Sequence, residues 1–153
     1  MNKSHHTTTL RVRYCDTDKM GTFYNARALE WFECGRTEMM RNLGLPYTQI
    51  EQRGYMLPVV EAHLEYLGRA TYDDLLHVEI HGYQYGMARF RFDVEIIHDA
   101  TGRPIVRGYT IHAVIDTQGK PTRPPHWLVQ LLQAHPQTSD GKTSFDSNPT
   151  LPI

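Results

Sequence analysis

The chain has 153 residues, 40% hydrophobic and 22% charged, which suits one globular domain with a sizeable core. Sixteen Lys and Arg stand against seventeen Asp and Glu, a formal net charge of −1. That balance removes the electrostatic case for nucleic acid or an anionic membrane as partner. The only two cysteines, Cys15 and Cys34, form no Cys-x-x-Cys pair and are expected as buried thiols in a reducing cytoplasm. Met1 to Thr9 lacks an apolar signal core, and no run could span a bilayer, so a soluble, cytoplasmic chain is expected.

In chain order, Thr8, Leu10, Val12 and Tyr14 alternate with Thr9, Arg11, Arg13 and Cys15, the period of a half-buried strand. Asp16-Thr17-Asp18-Lys19-Met20-Gly21 then reads as a loop. From about Phe23 to Leu43 the period becomes helical, with Ala28, Leu29, Phe32, Gly35, Met39, Met40 and Leu43 on one broad face. Gly44 and Pro46 stop that helix, and Gly35 predicts close approach of another backbone. Leu57 to Tyr66, Leu76 to His81, Ala88 to Ile96 and Ile105 to Asp116 alternate as strands. Short turns at Tyr85-Gly86-Met87 and at Asp99 to Gly102 make their neighbours antiparallel. A short helix is predicted over Trp127 to Ala134. Pro, Ser and Thr crowd His135 to Ile153, so a domain over 1–134 and an irregular or mobile tail over 135–153 are expected. The fold class is α+β, a long helix that needs a sheet around it.

The segment RVRYCDTDKMGTFYNARALEWFECGRTEMMRNLG carries an Asp-x-Asp-x-x-Gly loop at Asp16, Asp18 and Gly21, and an aromatic pair, Phe23-Tyr24. Trp31, Glu33 and Arg36-Thr37-Glu38 follow on the helix. With the later LPVVEAHLEYLGRATYDDLL, it closely resembles the 4-hydroxybenzoyl-CoA thioesterase family of hotdog proteins, through about Val129. The resemblance implies a single hotdog fold, with a helix embedded in a curved antiparallel sheet. It also implies dimers or tetramers with active sites between subunits, an acyl-CoA substrate, and Asp18 as nucleophile or general base. One departure from a common form of the motif is Ala28, where an aromatic residue is frequent.

Physical chemistry supports the same placement. A carboxylate ahead of a helix N-terminus faces free N–H groups and the positive end of the helix dipole, which favour a developing oxyanion. Backbone amides near Tyr24 and Asn25 are the expected substrate-binding donors, and Asn25 could also orient water. The plain alternative for Asp18 is helix capping; Asp16 is expected to structure the loop through backbone hydrogen bonds. The rings of Tyr24 and Trp31 are expected to pack. Glu33 is expected in an ion pair or a structural hydrogen bond, and Glu61, His63 and Glu65 on a solvated face. No metal or cofactor is demanded, because thiolate is a good leaving group and no His-Glu-x-x-His or compact ligand cluster occurs. Arg69, Arg103, Lys120 and Arg123 could meet the phosphates of CoA or stand as solvated charges. Beside the acyl-CoA thioesterase stand an acyl-carrier-protein thioesterase and a non-catalytic module that binds acyl thioesters.

Overall fold

A computed structural model describes residues 4–133. Five strands form one antiparallel sheet: β1 (Ser4–Arg11), β2 (Val59–Tyr66), β3 (Leu75–Tyr85), β4 (Arg89–His98) and β5 (Pro104–Ala113). Their spatial order is β1-β3-β4-β5-β2, so β1 and β2 are the edges. Helix α1 (Arg27–Asn42) lies against β1, β3 and β4; α2 (Tyr47–Gln52) and α3 (His126–Gln133) complete the described fold. The expected α+β class, a long helix on an antiparallel sheet, is what forms. Among the described residues no helix is long and apolar enough to cross a membrane. The expected boundary between 1–134 and the tail 135–153 lies outside the described residues.

Period-two alternation decides which sheet face is dry. Leu76, Val78 and Ile80 on β3 and Phe92, Val94 and Ile96 on β4 are all buried, with Val78 opposite Ile96 and Ile80 opposite Val94. Ala28, Trp31, Phe32, Met39 and Met40 supply the helix side of that core. A Cβ on Gly35 would come within 2.7 Å of Val78 Cγ1. The close approach at Gly35 is therefore to side chains of β3 rather than to another backbone.

Several boundaries differ from expectation. The first strand stops at Arg11, and Tyr14–Asp16 makes a turn of 3-10 helix, because Val12 N–H and carbonyl bond to Asp74 and Asp73 instead of continuing the ladder. Helix α1 begins at Arg27 and not near Phe23, since Phe23 bridges to Thr17 and donates its N–H to Ala70. Helix α2 was not expected; Pro46, read as a stop, occupies its N-cap position. The last strand ends at Ala113, with Ile115 in isolated bridges to Met56 and Pro121. Cys15 and Cys34 are free but exposed, one in the 3-10 turn and one on the solvent side of α1, which corrects the expectation of buried thiols.

A polar network crosses the core. His112, fully buried on β5, has Nδ1 2.8 Å from the Leu57 carbonyl. Its Nε2 lies 3.2 Å from Arg36 Nη1 and 2.9 Å from Thr110 Oγ1. A carbonyl only accepts and a guanidinium only donates, so Nδ1 carries the proton and the ring is neutral. Burial, aided by the Arg36 charge and opposed by the Leu57 carbonyl, pushes the His112 pKa down to about 4. The unfolded chain takes up this proton near the ordinary value, so the contribution is complete above about pH 6.5 and is lost between there and about pH 4. A shift of that size corresponds to about 3 kcal/mol as an upper bound. Denaturant unfolding between pH 7 and 4 is expected to show stability falling by up to that amount. The slope should flatten in His112→Gln; a wild-type slope retained in that variant would remove His112 as its source.

Candidate active site

The Asp16–Gly21 loop is built around a division of labour between its aspartates. Asp16 is 1% exposed. Its Oδ2 accepts Arg13 N–H at 2.8 Å and Arg13 Nε at 3.2 Å, and its Oδ1 accepts Arg13 Nη2 at 3.0 Å. Arg27 Nε stands 3.7 Å from the same carboxylate. Burial alone would raise the Asp16 pKa. The hydrogen bonds from Arg13 and the charges of Arg13 and Arg27 outweigh it, so the pKa is lowered. Asp16 thus structures the loop, as expected, and side chains share the work with the backbone. Its contribution is present above the ordinary carboxylate range and is lost as pH falls below it. Asp16→Asn is expected to cost about 2 kcal/mol, below the full cost of breaking a buried pair because Arg13 is largely solvated. Denaturant unfolding measures this, and a change below about 0.5 kcal/mol would contradict it.

Asp18 is half-buried and engaged differently. Its Oδ1 accepts Met20 N–H at 2.8 Å, and its carbonyl accepts Gly21 N–H at 3.0 Å. It does not cap α1: the N-cap residue is Ala26, with no side-chain hydrogen bond. The capping alternative is thereby removed. Gly21 closes the loop with φ 75°, a region that favours glycine.

Between loop and helix, residues 24–27 form a turn, with Arg27 N–H on the Tyr24 carbonyl at 2.9 Å. The Tyr24 N–H donates to the Asp16 carbonyl at 2.7 Å. Among the described residues, the N–H groups of Asn25 and Ala26 donate to no backbone carbonyl. They sit at the positive end of a sixteen-residue helix. The free donors lie one residue beyond the pair singled out in the sequence: Asn25 stays, Ala26 joins, and the Tyr24 amide is occupied.

The rest of the motif packs this frame. Trp31 is buried against Phe23, ring centroids 5.1 Å apart, and Ala28 is wholly buried. The Tyr24 ring, by contrast, is half exposed instead of packed. Glu33 is exposed, and its charge acts on Arg36. Glu61 and His63 are exposed as expected: Tyr109 Oη donates to Glu61 at 2.6 Å, and His63 stacks on Tyr109. No three His, Cys, Asp or Glu side chains among the described residues gather where a metal could bind.

A carboxylate loop, a turn with free amides and a long helix on an antiparallel sheet make up the candidate site. The chain belongs to the thioesterase-like superfamily, whose family model matches residues 12–132. It is similar to a 1,4-dihydroxy-2-naphthoyl-CoA hydrolase of Synechococcus elongatus, 29% identical over 126 residues, covering 80% of this chain and 90% of the relative. The acyl-CoA thioesterase YbgC of Haemophilus influenzae is 41% identical over 71 residues, 46% of this chain and 52% of that one. The crystal structure of Slr0204, a 1,4-dihydroxy-2-naphthoyl-CoA thioesterase from Synechocystis, superposes with a TM-score of 0.81 at 23% identity, covering 87% of this chain and 100% of that one. The fold is the hotdog fold, and the enzyme class is thioester hydrolase.

Proposed function

We propose that this chain hydrolyses acyl-CoA thioesters at the pair formed by the Asp18 loop and the Asn25–Ala26 turn. Asp18 attacks the thioester carbon or takes the proton of an attacking water. The N–H groups of Asn25 and Ala26 receive the carbonyl oxygen as it becomes an oxyanion, aided by the positive end of α1. The C–S bond then breaks and CoA leaves as thiolate: direct water attack yields the free acid at once, while attack by Asp18 leaves a mixed anhydride that a water cleaves to the free acid and the restored Asp18 carboxylate. The observation that carries this reading is the contrast at the loop. Asp16 is paired with two arginines, while among the described residues the Asp18 carboxylate is held only by the Met20 amide and does not serve as a cap.

Assembly belongs to the same reading. Strand β2 is a sheet edge, and Val59, Val60 and Tyr66 on it are about half exposed. An edge of this kind invites antiparallel pairing with a second copy, which would bring β2 of one subunit beside the site of the other. Residues 135–153 stand outside the catalytic domain in this reading. The named substrates of the relatives favour an aromatic acyl group.

The experiment is thiol release by the wild-type chain from aromatic, short-chain and long-chain acyl-CoAs, and from the same acyl groups on a carrier protein. Fastest release from an acyl-CoA is the expected result. Preference for the carrier-bound acyl group would replace CoA with carrier protein as the substrate. No release from any thioester would leave a module that binds acyl thioesters without turnover.

A further inference from the structure

Two side chains beyond the loop reach back to it from the segment that ends β2. Tyr66 Oη donates to the carbonyl of Asn25 at 2.8 Å. Arg69 Nη2 donates to the carbonyl of Met20 at 2.7 Å. Both acceptors belong to peptides that matter for chemistry. The Asn25 carbonyl shares one planar unit with the Ala26 N–H, one of the two free donors of the turn. In a trans peptide the C=O and N–H point in opposite directions from one rigid plane. Fixing the oxygen on one side therefore aims the Ala26 N–H to the other, and a hydrogen bond accepted at the oxygen also polarises that N–H. Among the described residues the Asn25 oxygen has one other partner, Ala28 N–H at 3.3 Å, a longer bond.

The Met20 peptide plays the matching part for the carboxylate. Met20 N–H holds Asp18 Oδ1, and the Gly21 N–H, in the same plane as the Met20 carbonyl, holds the Asp18 carbonyl. Between these two anchors, Phe23 N–H donates to the Ala70 carbonyl at 2.9 Å, and Thr22 Oγ1 bonds the Ala70 backbone. Segment 66–70 thus holds segment 20–25 at both ends and in the middle. Tyr66 also stacks its ring against Phe23, centroids 6.2 Å apart, so the hydroxyl can be removed without removing the packing.

We propose that Tyr66 is a positioning residue for hydrolysis. Its hydroxyl orients the Asn25–Ala26 peptide as an oxyanion donor, and Arg69 holds the Asp18 loop at the matching distance. The proposal rests on the thioesterase reading above.

The test compares wild type, Tyr66→Phe, Arg69→Gln and Asp18→Asn on whichever thioester the wild type hydrolyses fastest. Tyr66→Phe is expected to lower kcat about tenfold, less than deletion of a whole oxyanion donor, with KM within about twofold and thermal midpoint unchanged. Arg69→Gln, which lacks the guanidinium but can still donate one hydrogen bond, should lower kcat by a smaller factor. Unchanged kcat in Tyr66→Phe, with Asp18→Asn inactive, would overturn this proposal and leave the thioesterase reading standing. A raised KM at constant kcat, or a loss matched by a lower thermal midpoint, would also overturn it, as substrate contact or plain packing. A wild type without turnover on any thioester would overturn both.

Discussion

Asp18→Asn is expected to lower kcat more than about a hundredfold, the usual scale for a positioned acid–base group, while the protein stays folded. The asparagine keeps the shape of the side chain and its acceptor oxygen for Met20 N–H, so the loop contact survives. Lost are the charge and lone pair that the proposed chemistry uses. Asp18 makes no ion pair among the described residues, so neutralising it strands no buried cation. A thermal midpoint within about 2 °C of wild type is the corresponding stability result, because surface changes away from packed features cost little. Asp16→Asn offers the contrast: there the larger loss is of stability, because the carboxylate neutralises Arg13 and faces Arg27 in a buried place.

Gly108→Ala is expected to damage the fold most. A Cβ there would lie 1.9 Å from the His63 carbonyl oxygen and 2.9 Å from its carbon. These are backbone atoms of the neighbouring strand, opposite Gly108 at Leu64 in the β2–β5 ladder. No rotamer change relieves such a clash, so β2 must shift or detach from β5. A cost of about 3 kcal/mol or more follows, toward the upper end for overpacking. That is a large part of ordinary domain stability, and it corresponds to a midpoint lower by about 6 °C or more. Because β2 leads into Tyr66 and Arg69, thioester hydrolysis should fall as well. Gly82→Ala should be milder, since its Cβ would meet the flexible end of Met39 at 2.6 Å and the Phe92 ring at 2.9 Å. A thermal melt comparing the two variants decides the matter; equal midpoints would show that the β2–β5 clash is absorbed.

Much of this architecture was legible in the residues. Strands β3 and β4 follow their alternation because one face packs on α1, and the apolar stripe of α1 follows from that same burial. Helix α2 was not legible: six residues after Pro46 are too few to display a period. The start of α1 was misplaced because Phe23 is held extended by Ala70, a partner forty-seven positions away that leaves no local mark. The exposure of Cys15 and Cys34 likewise depends on where a turn and a helix face happen to point. At the site, the loop and its two aspartates could be read directly, and the resemblance singled out Asp18. The occupation of the Tyr24 amide by Asp16 rests on how the loop folds back, and the hold of Tyr66 on Asn25 rests on a contact between segments distant in the chain. For the same reason, the pairing of Arg36 with His112 across seventy-six positions could not be anticipated from helical spacing.

The most direct test of Asp18 is a single-turnover measurement, with enzyme in excess over the acyl-CoA that the wild type hydrolyses fastest. Product release and repeated binding then drop out, and the rate reports the chemical step. The expected result is rapid appearance of free CoA thiol with wild type, and a rate more than about a hundredfold lower with folded Asp18→Asn. Wild-type speed in that variant would contradict the assignment of the chemistry to Asp18.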